Sequence, residues 1–389
     1  MRRNEGKINY TQFVIVCVIG FSIFLSNQMV VNTVTKFAST MEVSTTMLGF
    51  IGGMWGMAAL VTRPFAGQVV DNEAHKPLLI TCIGILVFSN VVLIVADNVV
   101  FILLSRFVNG IAWGFGSTVC MTTACDSLPN EKISSGIAIY TLMQTLGQVI
   151  GPAIAIEIME RGGFRLLYTV TGLIMAVGFL LSFSFRTSHM GLKEKHYSFS
   201  LSSMLAPKAF LPASLLACNT METSSIAAFI LIYADSIGVT GLSLFFTVQA
   251  LAIIITRPFV SKVISDRNKY AFTIVSELMI ICALVSLLFV RSALAFMACA
   301  VFFGLGKSGA QPALAGMCVS AVGKEERGRA SNTTYTFQDI GQIIGSNLAG
   351  FLAGFVGYGG AFACMGGIIS AVLIIFIVFY MRPDLRRKA

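Results

Sequence analysis

Charge is what this sequence has least of. Only 12% of its 389 residues are Asp, Glu, Lys or Arg, against about 25% in soluble domains. It has only three histidines, no Cys-x-x-Cys spacing and no glycine loop of the kind that binds phosphate. The nine cysteines lie almost entirely in apolar runs, which indicates small buried side chains rather than a metal site. Too little polar surface remains to cover soluble domains, so most of the chain must be solvated by lipid.

Apolar sequence is what the chain has in abundance, at 56% hydrophobic residues and a mean hydropathy of +0.82. A run of roughly 20 apolar residues spans a bilayer, so we predict an all-α membrane protein with about twelve transmembrane helices. The first run has a basic start but no small-residue cleavage site, which indicates a retained helix rather than a signal peptide. The predicted spans lie near residues 11–33, 45–69, 77–96, 99–122, 135–158, 164–185, 210–232, 242–264, 270–290, 293–315, 331–355 and 359–381.

The basic residues predict the orientation. With the N-terminus inside, 19 of the 27 Lys and Arg residues fall in inner segments, four in outer segments and four within apolar runs. Positive loops favour the cytoplasmic side, so we predict a multi-pass protein of the cytoplasmic (inner) membrane with both termini cytoplasmic. Because these residues are spread over short loops, the net charge of +9 does not predict a nucleic-acid partner. We expect a monomer in the lipid bilayer.

A repeat runs through the chain. The motif Thr62-Arg63-Pro64-Phe65 returns 194 residues later as Thr256-Arg257-Pro258-Phe259, and residues 140–151 are echoed at 335–345. Parallel six-helix repeats with a midplane site are a transporter architecture. We therefore predict a six-helix bundle at 1–185, a central cytoplasmic loop at 186–208 and a second six-helix bundle at 209–389.

Three short motifs then resemble the major facilitator superfamily, in the order and on the spans that the family uses. They are Gly67-x-x-x-Asp71 followed by Lys76, Arg106-x-x-Asn109-Gly110, and Gly147-x-x-x-Gly151-Pro152. The resemblance covers essentially the whole chain and implies the major facilitator fold. It also implies that Gly67, Asp71 and Lys76 latch the cytoplasmic face and that Arg106 takes part in proton transfer. A hydrogen-bonded structural role is the alternative for Arg106.

The third motif, Gly147, Gly151 and Pro152, resembles one associated with exporters, especially proton antiporters. Close helix packing and flexibility during rocking are its expected roles. The chain also departs from the family pattern. Many drug exporters of the family have an acid in the first span, where this chain has Asn27, Gln28 and Asn32. Asn27 and Gln28 are candidate substrate-binding residues.

Charges inside the spans are costly and mark pathways, relays or ligand sites. Glu222 lies near the middle of the seventh span, with Asn219 one turn away. Carboxylates removed from water bind protons more tightly, so Glu222 is a candidate for proton coupling and substrate binding, and Asn219 for substrate binding. A structural partnership of Glu222 with Lys307 or Arg257 is the alternative. Glu277 is expected near the inner face, where it snorkels or pairs with Arg267 or Lys269.

The eleventh span carries a polar stripe that includes Tyr335, Gln338, Asp339 and Gln342, and Gln144 lies on its first-half counterpart. We predict that Asp339 and Lys307 take part in proton coupling and that the other four bind substrate. Lys307 stands where the first half has Trp113, so charge has been added to the second half alone. A Lys307–Asp339 pair that links two helices is the alternative.

Arg63 and Arg257 occupy equivalent places in the two halves, about 12 Å from the cytoplasmic boundary at ~1.5 Å per helical residue. Two arginines at a central axis would form a fork for a carboxylate or phosphate. Nitrate and nitrite porters of the superfamily look similar in this respect. Capping of nearby carbonyls, or pairing with an acid, is the structural alternative.

These observations predict a secondary transporter of a small organic solute, with efflux coupled to protons and no cofactor beyond the proton gradient. Uptake or exchange of an anion clamped by Arg63 and Arg257 is the first alternative. A membrane-embedded sensor or enzyme is a remote one, because the sequence has no metal-spaced acid cluster and no Gly-x-Ser-x-Gly. We therefore expect a protein that is not an enzyme.

Overall fold

The structure, a computed structural model, describes residues 10–72, 74–127, 133–184, 205–239, 243–263, 268–322 and 327–381. In these ranges all regular structure is helical and no strand occurs, which confirms the predicted all-α class. The helices are α1 Tyr10–Val31, α2 Val34–Ser39, α3 Thr45–Asn72, α4 His75–Val95, α5 Val99–Asp126, α6 Ile133–Ser184, α7 Phe210–Ser236, α8 Ser243–Val263, α9 Lys269–Ser286, α10 Ala293–Ser320 and α11 Arg327–Met381, with 3-10 turns at Pro207–Ala209 and Leu287–Phe289.

Nine helical stretches in the described residues are long and apolar enough to cross a membrane. Two of them, Leu142–Ser184 and Thr333–Tyr380, are 43 and 48 residues long, enough for two crossings each at about 20 residues per crossing. A shorter apolar stretch, Leu244–Val260, lies in α8. If each of the two long stretches crosses twice and α8 crosses once, the nine candidate spans become the predicted twelve.

Each long helix contains one residue with non-helical backbone. It is Gly163 in α6, with φ 75°, and Gly357 in α11, with φ 71°. Left-handed backbone is routine only for glycine, because a Cβ there meets the following carbonyl oxygen. The two glycines are 194 residues apart, which is the period of the sequence repeat. The bend in α6 therefore recurs at the equivalent place in α11.

The surface of the helices is apolar. Leu294, Phe355 and Phe289 are 82%, 75% and 74% exposed. In a bilayer such side chains are solvated by lipid, while the helical backbone satisfies its own hydrogen bonds. The multi-pass membrane protein expected from composition is what these helices form.

The chain divides into two compact units. The first comprises Met1–Val34 and Met57–Phe199, and the second comprises Thr35–Gly56 and Ser200–Ala389. In the first unit α1 packs on α6, and α4 packs on α5 and α6. In the second, α7 packs on α11, while α10 contacts α7, α8 and α9. The predicted central loop at 186–208 falls mostly outside the described residues, so the predicted domain boundaries stay a prediction.

Segment 35–56 belongs to the second unit although it comes early in the sequence. The Thr35 hydroxyl donates to the Ala228 carbonyl at 2.5 Å, and Lys36 Nζ lies 3.0 Å from Asp235 Oδ2. The 194-residue repeat in the sequence predicts that this segment belongs to the first half.

Candidate functional site

A buried ion pair lies in the second unit. Lys307 Nζ on α10 is 3.2 Å from Glu222 Oε2 on α7. The Glu222 side chain is 0% exposed and that of Lys307 is 13% exposed. The Thr223 hydroxyl shares its hydrogen between the Asn219 carbonyl, at 2.8 Å, and the same carboxylate oxygen, at 3.2 Å. Among the alternatives for these charges, the structure therefore has Lys307 paired with Glu222, and the Lys307–Asp339 pairing is wrong in the described part of the chain.

A second buried carboxylate adjoins this pair. Asn219, one turn before Glu222 on α7, donates its Nδ2 to Oε1 of Glu277 on α9 at 2.7 Å. Glu277 is 0% exposed. The expectation that it snorkels or pairs with Lys269 is wrong, because its side chain points at α7 and not at the start of α9. Arg267, the other expected partner, lies outside the described residues.

The resulting cluster of Asn219, Glu222, Glu277 and Lys307 holds two carboxyl groups and one ammonium. Among the described residues, Oε1 of Glu222 and Oε2 of Glu277 have no hydrogen-bond partner. With both carboxyls ionised, the cluster would carry one uncompensated negative charge inside the bundle. Buried charge without a partner is costly, so this arrangement is suited to holding a proton.

The corresponding junction in the first unit is neutral. There α1 packs on α5, and Phe24 meets Trp113 edge to face with ring centroids 4.7 Å apart. In the second unit, α7 packs on α10 through Glu222 and Lys307. The same helix–helix contact is therefore filled by aromatic rings in one half and by an ion pair in the other.

Arg106 is fully buried on α5. Residues next to it on α5 bond to α4: Ser105 donates to the Ser89 carbonyl at 2.8 Å, and Asn109 Nδ2 donates to Ser89 Oγ at 3.1 Å. Tyr168 on α6 is an electrostatic neighbour of the guanidinium. The predicted buried position of Arg106 is what the structure shows, and its proton-transfer role stays a prediction.

The candidate substrate residues of α1 and α6 lie in the first unit. Asn27 is 2% exposed, and neither its amide nitrogen nor its oxygen has a hydrogen-bond partner among the described residues. Gln28 is half-buried, and its side-chain oxygen accepts from Asn32 Nδ2 at 3.4 Å. Gln144 is half-buried on α6. These three stay candidates.

The polar stripe on α11 has mixed surroundings. Asp339 is buried, Gln338 and Gln342 are half-buried, and Tyr335 is exposed. The backbone carbonyl of Gln342 accepts from the Ser224 hydroxyl of α7 at 2.7 Å. This bond joins α11 to α7 through the backbone of Gln342, and substrate binding by the side chains of the stripe stays a prediction.

Arg63 on α3 and Arg257 on α8 are both half-buried. One belongs to the first unit and the other to the second. Each is placed within an apolar helix, as expected, and the anion fork that they would form together stays a prediction.

The gating motif is described only in part. Gly67 and Asp71 lie within α3, but their side chains are outside the described residues. Lys76 Nζ donates to the Phe183 carbonyl in the last turn of α6 at 2.7 Å. A lysine that neutralises a helix C-terminus is favourable. Lys76 thus joins the start of α4 to the end of α6 within the first unit.

The exporter motif lies where α6 packs on α1, and Pro152 is buried there. A Cβ on Gly147 would come within 2.9 Å of the Leu25 nitrogen, and one on Gly151 within 3.0 Å of Gln28 Cβ. In the second unit, a Cβ on Gly345 would overlap the Met221 carbonyl oxygen of α7. Small residues let helix backbones approach closely, so the repeated glycines place α6 against α1 and α11 against α7.

Comparison with known proteins agrees with this architecture. The Major Facilitator Superfamily profile matches residues 16–293 and 213–389. The staphylopine export protein of Staphylococcus aureus is 23% identical over 359 residues, which cover 88% of this chain and 89% of that protein. The quinolone resistance protein NorA of the same species is 22% identical, over 95% of this chain and 96% of that one.

Among solved structures, a POT family transporter in complex with a thioalcohol-conjugated peptide superposes with a TM-score of 0.80. The two chains are 14% identical, and the match covers 96% of each. At this identity the likeness shows the fold. The family match and the two transport proteins among its relatives support a secondary transporter. The chain belongs to the Major Facilitator Superfamily.

Proposed function

We propose that this transporter exports a small organic solute across the cytoplasmic membrane in exchange for protons. The observation that carries the proposal is the buried cluster of two carboxyl groups and one ammonium on α7, α9 and α10. Such a cluster can change its charge by one without any cofactor, as coupling to a proton gradient requires. The names of the two relatives, an export protein and a drug-resistance protein, support outward transport.

Alternating access is the proposed mechanism, with one site exposed to each side of the membrane in turn. The close glycine contacts of α6 on α1 and of α11 on α7 are the packing on which each half would move as a body. The excess of basic residues in the predicted inner loops supports a cytoplasmic position for both termini. A monomer suffices for this mechanism.

Transport by purified protein in liposomes tests the proposal, with staphylopine and a quinolone as the first solutes. An acidic lumen should drive accumulation of a carried solute, because protons leave as solute enters. A protonophore should abolish the accumulation, and protein-free liposomes are the control. Accumulation driven only by an acidic exterior would show symport and overturn the proposal.

Uptake or exchange of an anion is the alternative that the sequence suggests. It depends on the half-buried arginines Arg63 and Arg257. The liposome experiment separates the two functions by the sign of the pH gradient, and substitution of the arginines tests the clamp directly.

A further inference from the structure

We propose that Glu277 is the residue that carries the exchanged proton, while Glu222 stays ionised beside Lys307. The inference rests on the proposed proton coupling and assigns the proton to one of the two carboxyl groups. Sequence position alone favoured Glu222, which lies at the middle of its span. The contacts of the two side chains favour the other acid.

Glu222 is compensated. Its Oε2 has the Lys307 ammonium at 3.2 Å and the Thr223 hydroxyl at 3.2 Å. Removal of an ion from water is costly, and a close counter-ion with additional hydrogen bonds is needed to offset that cost. Glu222 has both, so its ionised form is the one that these contacts stabilise.

Glu277 has no such compensation. In the described part of the chain its hydrogen-bond donor is the neutral amide of Asn219, on Oε1, and Oε2 has no partner. Glu277 is 0% exposed. Burial of an ionised carboxylate whose hydrogen-bond partner is a neutral amide is far more costly than burial of a neutral carboxyl group. Oε2 is therefore the atom on which the proton is held.

The charged groups around Glu277 agree with this assignment. From α7 it is faced by Glu222 and by the thiol of Cys218. On α10 the cation is Lys307, which is engaged by Glu222. On its own helix, Lys269 lies over the ring of Tyr270. The buried acid of α11, which also packs on α9, is Asp339. Among the described residues, both of these cations are engaged elsewhere, and the charged group that acts on Glu277 is Glu222.

Proton release then has a defined consequence. When water reaches Glu277, the Oε2–H bond breaks and the proton passes to water, which leaves two carboxylates to compete for one ammonium. Asn219 and Glu222 are one turn apart on α7, so any rotation of that helix moves the amide partner of Glu277 and the Glu222 carboxylate together. Asn219 is a positioning residue, and the choice of partner by Lys307 follows the protonation of Glu277.

Infrared difference spectroscopy of the protein in lipid, between acidic and alkaline pH, tests the assignment without any solute. The wild type should show the C=O band of a buried protonated carboxyl group. Glu277→Gln should lose that band. The double variant Glu222→Gln, Lys307→Met should keep it, because the ion pair is removed as a unit and Glu277 still lacks a cation. Asp339→Asn, and the exposed outer control Glu157→Gln, should also keep it.

A band that persists in Glu277→Gln, or that is lost in Asp339→Asn, would overturn the assignment. Asn219→Ser should keep the band but shift the pH at which it appears, which a purely structural role of the amide would not do. Failure of the proposed function has a different signature, because liposomes would then show no solute movement under a pH gradient even though the band is present. If Glu277→Gln does not fold, the double variant Glu222→Gln, Lys307→Met provides the test. Absence of the C=O band in that variant would refute the proposal.

Discussion

The ammonium of Lys307 lies 3.2 Å from the Oε2 atom of Glu222, at a helix junction that the first half of the chain fills with Phe24 and Trp113. The two halves of the chain repeat with a period of 194 residues, and at this junction only the second half carries charge. A buried ion pair is weak evidence for stability, since apolar residues of similar size often pack as well. By the 194-residue shift its first-half counterparts are the neutral Gln28 and Trp113, so this helix junction does not itself require an ion pair.

Removal of one member of this pair should therefore cost more than removal of both. We expect Lys307→Met alone to destabilise the protein by about 3 kcal/mol, because a buried carboxylate loses its counter-ion. The double variant Glu222→Gln, Lys307→Met should lose less than the sum of the two single variants. Unfolding in detergent, arranged as a double-mutant cycle, measures this coupling. Strictly additive losses would show that the two side chains do not interact.

The two bends in the long helices give a second prediction. Alanine at Gly163 or Gly357 should destabilise the protein by about 1–3 kcal/mol, because backbone with positive φ and ψ near 180° is almost exclusive to glycine. No neighbouring atom lies within 4 Å of either added Cβ, so the cost is conformational and not steric. Gly316→Ala, in the regular part of α10 with equally open surroundings, is the matched control and should lose nothing. Equal melting temperatures for all three variants would contradict the assigned backbone.

The glycine contacts should be unequal in the two halves. A Cβ on Gly345 overlaps a backbone atom of α7, the Met221 carbonyl oxygen, whereas the nearest atom to a Cβ on Gly151 is Gln28 Cβ at 3.0 Å. Backbone cannot yield without movement of the whole helix. We therefore expect Gly345→Ala to reduce transport and melting temperature more than Gly151→Ala does. Gly367→Ala, also on α11 but with open space around it, controls for the loss of a helical glycine and should behave as wild type.

Much of the fold could be predicted because it depends on composition and on the repeat. Apolar runs of bilayer length identify helices without any knowledge of packing, and the shift of 194 residues identifies the halves. The same shift relates Gly163 to Gly357, so the repeat could also have located the bends. Segment 35–56, which joins the second unit, carries no comparable signal, because its placement depends on tertiary contacts.

The site could be predicted less completely. Glu222, Asn219 and Lys307 were identifiable as rare polar residues in apolar spans, and the structure brings them together. The environment of Glu277 was not, because its distance from a span end does not give the rotation of its helix. Only packing shows that this side chain faces α7 and meets Asn219. A search for polar residues on neighbouring spans could have suggested the contact.

The arginines decide between the proposed function and its alternative. Lysine at both Arg63 and Arg257 keeps the positive charges but removes the planar fork that binds a carboxylate with two parallel hydrogen bonds. If an anion is clamped there, its affinity should fall by at least about tenfold, the equivalent of about 1.4 kcal/mol, while pH coupling persists. Arg161→Lys, at an exposed residue paired with Glu157, is the control for loss of a guanidinium. Binding of carboxylate solutes by the purified variants, measured by calorimetry, gives the answer. Unchanged affinity would remove the anion clamp and leave the two arginines a structural role in their own helices.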